Sequence, residues 1–520
     1  MNFKELKEMV SDPISNLPSK KQWQKVGFRP HHGIVLPLFS LHSKKSSGIG
    51  EFLDLIPLID WLKGTKFDVI QLLPLNDTGG LPSPYSALTA NGLNPIHLSL
   101  HDLPLKNLHP PYPIFPPGWQ KEIIDYEKVA KLKTQFLKEY FDKCFPSLSN
   151  SPEYLKFTQN HSSWLESYAL YRAAREHLGV FEREKWLLIK KNKNNLQKEM
   201  DFFSFLQFLS FKQLKQVKEY AEENQIFLKG DIPILLSSDS ADVLENEDLF
   251  IKGKVAGAPP DQFSEEGQYW GFPVYDWEHK FEKVLDFWKK RLKIASEFYH
   301  IYRLDHLVGL FRIWAINKGD PATKGVFLPS DESLWIPTGT KILSEFLKAS
   351  PLFPIAEDLG VVPDSVRAAL LNLGIPGTKV LRWEREGLHG KFHPLNSFSK
   401  ISMTTVSTHD TETLKGWAIA HPHDFKRYCH DEHLDLSESS ENLLFQILEA
   451  SHKSSSLFHI NLLQEYLSFV PHLSKKDPSK ERINNPADFS YPNWCYRFKP
   501  SVEEISSDKD LLAIMNAVSK

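Results

Sequence analysis

The sequence predicts an α/β protein, a (β/α)8 barrel with helical and loop insertions on its active-site face, and three observations carry that prediction. Eight short apolar runs, each ending in polar or turn residues, recur along the 520 residues in the manner of buried parallel strands. Segments with apolar residues at three- and four-residue spacing stand between them. Three of the runs end in carboxylates, and the C-terminal strand ends are where barrel enzymes carry their chemistry.

The runs fall at 33–38, 67–75 and 226–234, then at 301–305, 353–358, 378–383 and 403–410, with a weaker one at 457–463. Among the intervening segments, 280–298 is the clearest helix: Phe281, Val284, Leu285, Trp288, Leu292, Ala295 and Phe298 make one apolar face. A second, 339–349, carries Ile342, Leu343, Phe346 and Leu347 directly ahead of the run at 353–358. A doubly wound open sheet would show the same alternation, so periodicity alone leaves both architectures open. About 150 residues separate the second and third runs, too many for one crossover. With a Pro-rich opening at 103–119 and helical patterning at 164–178, this stretch reads as a mainly helical insertion over 96–222 of one barrel spanning 1–520.

Composition narrows the function. With 41% hydrophobic and 24% charged residues the chain has ample apolar mass for a large core, which argues against disorder. A formal net charge of −3, with basic residues dispersed among acids, gives no reason to expect a nucleic-acid partner. The densest basic stretch, 190–193, reads as a solvated helix end. Cys144, Cys429 and Cys495 lie far apart and lack metal-ligand spacing, so neither a disulfide framework nor a metal site is expected, and an odd number of thiols fits a reducing compartment. No apolar run reaches the roughly 18 residues of a membrane span, and the N-terminus lacks the apolar core of a signal peptide. The expectation is a cytoplasmic protein with no membrane partner.

The chemistry points to the strand ends. Arg303 and Asp305 are two apart, so they face one side while Tyr302 and Leu304 face the other. The run at 353–358 ends in Glu357 and Asp358, and that at 403–410 ends in His409 and Asp410. Each group alone could be a buried ion pair, a helix cap or a turn residue. Their recurrence at three strand ends favours a shared mouth. Carboxylates gathered without a metal cluster, a phosphate loop or a nucleophilic Ser or Cys motif suit glycoside chemistry, which needs a nucleophile and a proton donor about 5 to 5.5 Å apart when configuration is retained. Aromatic residues should flank them to stack on sugar faces, and 13 Trp supply candidates without choosing among them.

These motifs resemble those of the amylomaltases, the 4-α-glucanotransferases or disproportionating enzymes of glycoside hydrolase family 77 in the α-amylase clan. The resemblance covers nearly the whole chain. Arg303-Leu304-Asp305-His306 is similar to the family's nucleophile region, Ala356-Glu357-Asp358-Leu359-Gly360 to its acid/base region and Thr408-His409-Asp410 to its transition-state region. Less catalytic but more family-specific are Ser83-Pro84-Tyr85, Gly230-Asp231-Ile232-Pro233 and the stretch 255–277, with Trp270-Gly271 and Tyr275-Asp276-Trp277. A C-terminal echo, Glu481-Arg482-Ile483-Asn484 with Asn493-Trp494, fits as well.

The resemblance implies Asp305 as nucleophile, Glu357 as general acid and then base, and Asp410 as stabiliser of the oxocarbenium-like transition state. It further implies that Arg303 holds Asp305 ionised, that His409 binds sugar hydroxyls, that Tyr85 stacks in the donor subsite and that Asp231 supports the site. His306 joins the substrate-binding set. Trp270 and Phe263 belong to a loop subdomain over 236–278 that would cover the groove. Donor and acceptor would be maltodextrins or other α-1,4-glucans, with no cofactor and no catalytic metal. Phe272, Thr411, Ser407 and Gln262 depart from common family residues, which bears on acceptor preference. Two rival readings stay open: an α-glucan hydrolase with the same carboxylates, and an inactive glucan-binding protein.

Overall fold

The computed structural model describes residues 14–103, 122–179, 181, 183–260, 265–387, 390–488 and 490–520. Eight parallel strands form one sheet: β1 (His31–Leu36), β2 (Phe67–Leu72), β3 (Phe227–Pro233), β6 (Ile301–Asp305), β9 (Phe353–Ala356), β10 (Gly377–Val380), β11 (Ser402–Thr405) and β12 (Phe458–Leu462). Their order is β10-β11-β12-β1-β2-β3-β6-β9, so the first and last elements of the list are also successive strands in the chain. Each coincides with one of the eight apolar runs, and an order that follows the chain round the ring, with the successive strands β9 and β10 at its two ends, sets aside an open doubly wound sheet. Ends differ by a few residues: the run at 378–383 stops as a strand at Val380 and continues as a tight helical turn, Leu381–Trp383.

The ring closes between β9 and β10 through side chains and loop backbone. Ala356 donates its N–H to the Pro376 carbonyl at 2.7 Å, and the Thr378 hydroxyl donates to the Ala356 carbonyl at 2.7 Å. Asp358 accepts the Thr378 N–H at 2.7 Å. The approach needs a glycine: a Cβ on Gly377 would lie 2.6 Å from Asp358 Oδ2.

Helices cover the barrel. Trp277–Ala295 buries Val284, Leu285, Trp288 and Leu292, and Trp335–Ala349 buries Ile342, Leu343, Phe346 and Leu347, the apolar faces expected from their spacing. Between β2 and β3 lie helices Tyr126–Leu148, Pro152–Asn160, Ser162–Leu178 and Gln197–Glu223. A buried ion pair anchors this block: Lys133 Nζ donates to Glu51 Oε1 at 2.6 Å and to the Leu98 carbonyl at 2.7 Å. The Pro-rich opening lies largely outside the described residues.

A second sheet was not foreseen. Strands β4 (Phe250–Ala258), β5 (Gln268–Tyr275), β7 (Ile313–Asn317) and β8 (Val326–Leu328) pair antiparallel in the order β5-β4-β7-β8. It has its own small core of Ala256, Val274, Ile313 and Ala315. Gly253, Gly257, Gly271 and Pro273 interrupt the alternation by which β4 and β5 could have been read. Among the described residues, no helix is long and apolar enough to cross a membrane.

Strand β3 has little room to spare. A Cβ on Gly230 would stand 2.5 Å from the Tyr299 ring. Gly230→Ala is therefore expected to destabilise the protein by about 1–3 kcal/mol through overpacking, checked by the midpoint of a urea titration. An unchanged midpoint would mean that the Tyr299 ring can swing clear.

Candidate active site

Strand register brings the charged groups together. In the β3–β6 ladder Asp231 lies opposite Arg303 and Pro233 opposite Asp305, while β6 pairs Leu304 with Ala356 of β9. The Glu357 N–H continues that ladder to the Leu304 carbonyl at 3.0 Å. Asp231, Arg303, Asp305 and Glu357 consequently share one mouth at the C-terminal ends of three adjacent strands.

One guanidinium sits among them. Arg303 Nη1 donates to both oxygens of Asp231 at 2.9 Å and to Asp305 Oδ1 at 2.7 Å, while Nη2 lies 3.9 Å from Glu357 Oε2. Burial works against the Arg303 charge, but Asp231 and Asp305 more than offset it, and its pKa lies above the usual arginine value. The Asp231 side chain is inaccessible to solvent, whereas that of Asp305 is 26% exposed and open to a ligand.

Glu357 is held by main chain. Its Oε2 accepts the His306 N–H at 2.6 Å and its Oε1 accepts the Leu359 N–H at 3.1 Å. Burial pushes its pKa up to about 7, with Arg303 opposing and Asp305 assisting. His306 adopts a left-handed conformation, φ 50°, to present that N–H, a backbone state that non-glycine residues rarely occupy. Burial lowers the pKa of its imidazole to about 4, and the ring meets Trp270 edge-on at 4.8 Å. Trp270, on β5, thus links the antiparallel sheet to the end of β6. Its indole N–H donates to Gln268 Oε1 at 2.9 Å.

The adjacent carboxylates Glu357 and Asp358 separate. Glu357 faces the mouth, and Asp358 turns into the β9–β10 seam.

Asp410 arrives from the other side of the ring, after β11. Asn484 Nδ2 donates to Asp410 Oδ1 at 2.7 Å, and the Asn484 N–H donates to the His409 carbonyl at 3.0 Å. Arg482 Nη2 donates to the Asp410 carbonyl at 2.9 Å. Tyr85 ties this group to the first: its hydroxyl donates to Asp231 Oδ2 at 3.0 Å and stands 3.1 Å from His409 Nε2, which fits an Nε2–H donating to it. Burial raises the Tyr85 pKa well above the ordinary phenol value, and Asp231 adds to the effect, so the phenol keeps its proton. The Tyr85 and His409 rings stack at 5.6 Å, and Trp494 contacts both, at 5.5 and 5.8 Å.

All the site residues named from the sequence except Phe263 therefore lie in one contact network; Phe263 falls outside the described residues, as does Gln262. Asn484, Arg482 and Trp494 were visible only as part of a motif, with no role attached. Ser407 and Thr411 are buried within their own loop rather than facing a groove: Ser407 donates its hydroxyl to Glu465, and Thr411 Oγ1 accepts the Thr408 N–H at 3.0 Å.

The split between Glu357 and Asp358 is testable by stability alone. Asp358→Ala strands the buried Thr378 N–H and is expected to cost about 1–3 kcal/mol, while Glu357→Gln keeps one acceptor oxygen, removes a buried charge and costs less. Urea titrations of both variants decide; equal losses would contradict the assignment of Asp358 to the seam.

The family model for glycoside hydrolase family 77, described as 4-alpha-glucanotransferase, matches residues 36–503. The 4-alpha-glucanotransferase of Chlamydia muridarum is 40% identical over 517 residues, covering 96% of this chain and 97% of that protein. That of Chlamydia pneumoniae is 41% identical over 510 residues, covering 95% and 96%. Among solved structures, the amylomaltase from Streptococcus agalactiae in complex with acarbose superposes with a TM-score of 0.79 at 24% identity, covering 95% of this chain and 99% of that one.

Proposed function

The chain belongs to glycoside hydrolase family 77, the 4-alpha-glucanotransferases, and we propose that it transfers α-1,4-glucan segments between maltodextrins by a retaining double displacement on Asp305. The observation that carries this reading is the shared guanidinium: Arg303 hydrogen-bonds Asp305 at 2.7 Å but stands 3.9 Å from Glu357. The cation thus bonds the nucleophile directly and leaves the second carboxyl at longer range, free to face the glycosidic oxygen.

In the first step the Glu357 carboxylic acid gives its proton to the glycosidic oxygen while an Asp305 oxygen bonds to the anomeric carbon, and the bond to the departing glucan breaks. In the second, a 4-hydroxyl of the acceptor loses its proton to the Glu357 carboxylate and its oxygen displaces Asp305. Two inversions retain the α configuration. Asp410, fixed by Asn484, stabilises the positive charge that develops on the ring between these states. Tyr85 and His409 line the donor side, Arg303 and His306 complete the substrate-binding set, and Asp231 supports the site.

Residues 1–520 act as one catalytic unit, in which the insertion 96–222 frames the barrel's active face and the subdomain 236–278, through Trp270, covers the groove. Acceptor binding and cover together keep water from the covalent intermediate, which favours transfer over hydrolysis. The reaction calls on no cofactor or catalytic metal. A cytoplasmic setting fits the spread of unpaired thiols, Cys144, Cys429 and Cys495.

Incubation with maltotriose, followed by mass profiling and a reducing-end count, is expected to yield longer and shorter maltodextrins at a constant number of reducing ends. Rising reducing ends without longer products would make the protein a hydrolase. Asp305→Asn is expected to lower turnover by about 10³-fold or more, and full turnover in that variant would exclude the covalent route.

The acid must be protonated to act, so kcat/KM is expected to fall as pH rises through about 7, the value to which burial pushes Glu357. In Glu357→Gln the residual activity should lose this alkaline limb. A limb that survives the substitution belongs to another group.

A further inference from the structure

The mechanism leaves Glu465 unused, although it is a carboxylate buried to 1% exposure. It follows β12 in the short helix Leu463–Leu467 and lies beneath the segment that carries His409 and Asp410. Ser407, at the start of that segment, donates its hydroxyl to Glu465 Oε1. Leu414, at its end, donates its N–H to both Glu465 oxygens at 3.0 Å. A neighbouring side chain of β12, Asn461, accepts the Val406 N–H at 2.8 Å. Between the two anchored ends the chain folds back on itself, with Thr411 N–H donating to the Thr408 carbonyl at 3.2 Å.

We propose that Glu465 is a positioning residue for Asp410: by gripping Ser407 and Leu414 it closes the base of the 407–414 loop and sets how far His409 and Asp410 project into the mouth. The inference rests on Asp410 acting as the transition-state stabiliser. A hydroxyl at position 407 makes the grip two-ended, since a glycine or alanine there would leave Glu465 only the Leu414 amide. Arg482 and Asn484 hold the crest of the same loop, so Glu465 acts on its base and they act on its tip. Displacement of the base would move the Asp410 carboxylate relative to Asp305 and Glu357 without removing any group that touches the sugar.

The test is steady-state transfer kinetics on maltotriose with Glu465→Ala, Ser407→Ala, the double variant and Asp410→Asn, each with its melting temperature. Glu465→Ala removes the acceptor of both ends and is expected to lower kcat about tenfold with KM within about twofold, because a misplaced stabiliser costs rate more than ground-state binding. Ser407→Ala should lower kcat less, and the double variant should be no worse than Glu465→Ala, because the Ser407 connection is already lost there. Wild-type kcat in Glu465→Ala, or losses that multiply in the double variant, would overturn the proposal. If Glu465→Ala does not fold, Ser407→Ala decides alone: a lower kcat at unchanged KM and melting temperature supports the grip, and an unchanged kcat overturns it. Asp410→Asn separates the two levels of inference. Full activity there would remove the role of Asp410 and this proposal with it, whereas an inactive Asp410→Asn beside an unaffected Glu465→Ala would remove only the proposal.

Discussion

The site depends on a single cation held where three strands end. Arg303 offsets part of the repulsion that would otherwise set Asp231, Asp305 and Glu357 against one another in a buried mouth. Its position follows from register, with Asp231 directly across the β3–β6 ladder and Asp305 two residues along the same strand face. From that cation a continuous series of contacts runs to the far side of the ring: Arg303 to Asp231, Asp231 to the Tyr85 hydroxyl, Tyr85 to His409, and His409 to Asp410 at 3.4 Å. Asp305, Asp231 and Asp410 are thus joined in one network, beside which the main-chain amides of His306 and Leu359 hold Glu357. Such networks are worth more intact than the sum of their pairs.

The far side of that network is built from the C-terminal part of the chain. Arg482 clamps Glu412 through Nη1 at 2.8 Å, Arg382 holds the same carboxylate at 3.0 Å, and Asn484 reaches Asp410 itself. Trp494, in a left-handed conformation at φ 64°, lays its ring against Tyr85 and His409. A local backbone cost at Trp494 and at His306 is sustained because the surrounding packing leaves no alternative, the usual circumstance of strained residues at functional sites.

Most of the barrel was legible because burial on both faces leaves an uninterrupted apolar run, a signal that survives without knowledge of partners. The antiparallel sheet was not, because glycines and a proline break its alternation and its partners β4 and β7 are far apart in sequence. The same distinction holds in the site. Arg303 and Asp305 could be read as neighbours on one strand face. That Glu357 faces the mouth while Asp358 serves the seam could not, since it depends on Thr378 and Gly377 arriving alongside. Glu465 was silent for a similar reason: a carboxylate in an apolar stretch has no meaning until Ser407 and Leu414 are brought to it.

The proposed double displacement places an unusual demand on its acid. The same Glu357 must release a proton in one half of the cycle and recover one in the next, so a strong shift in either direction would speed one half at the expense of the other. Burial and the nearby Asp305 raise its pKa, while Arg303 and the N–H groups of His306 and Leu359 lower it, and the balance falls at about 7. Moving the guanidinium closer would favour the base and weaken the acid; removing the two N–H donors would do the reverse. The left-handed turn at His306 therefore has a chemical consequence beyond orientation, since it supplies one of the two main-chain donors that keep a deeply buried carboxyl able to ionise.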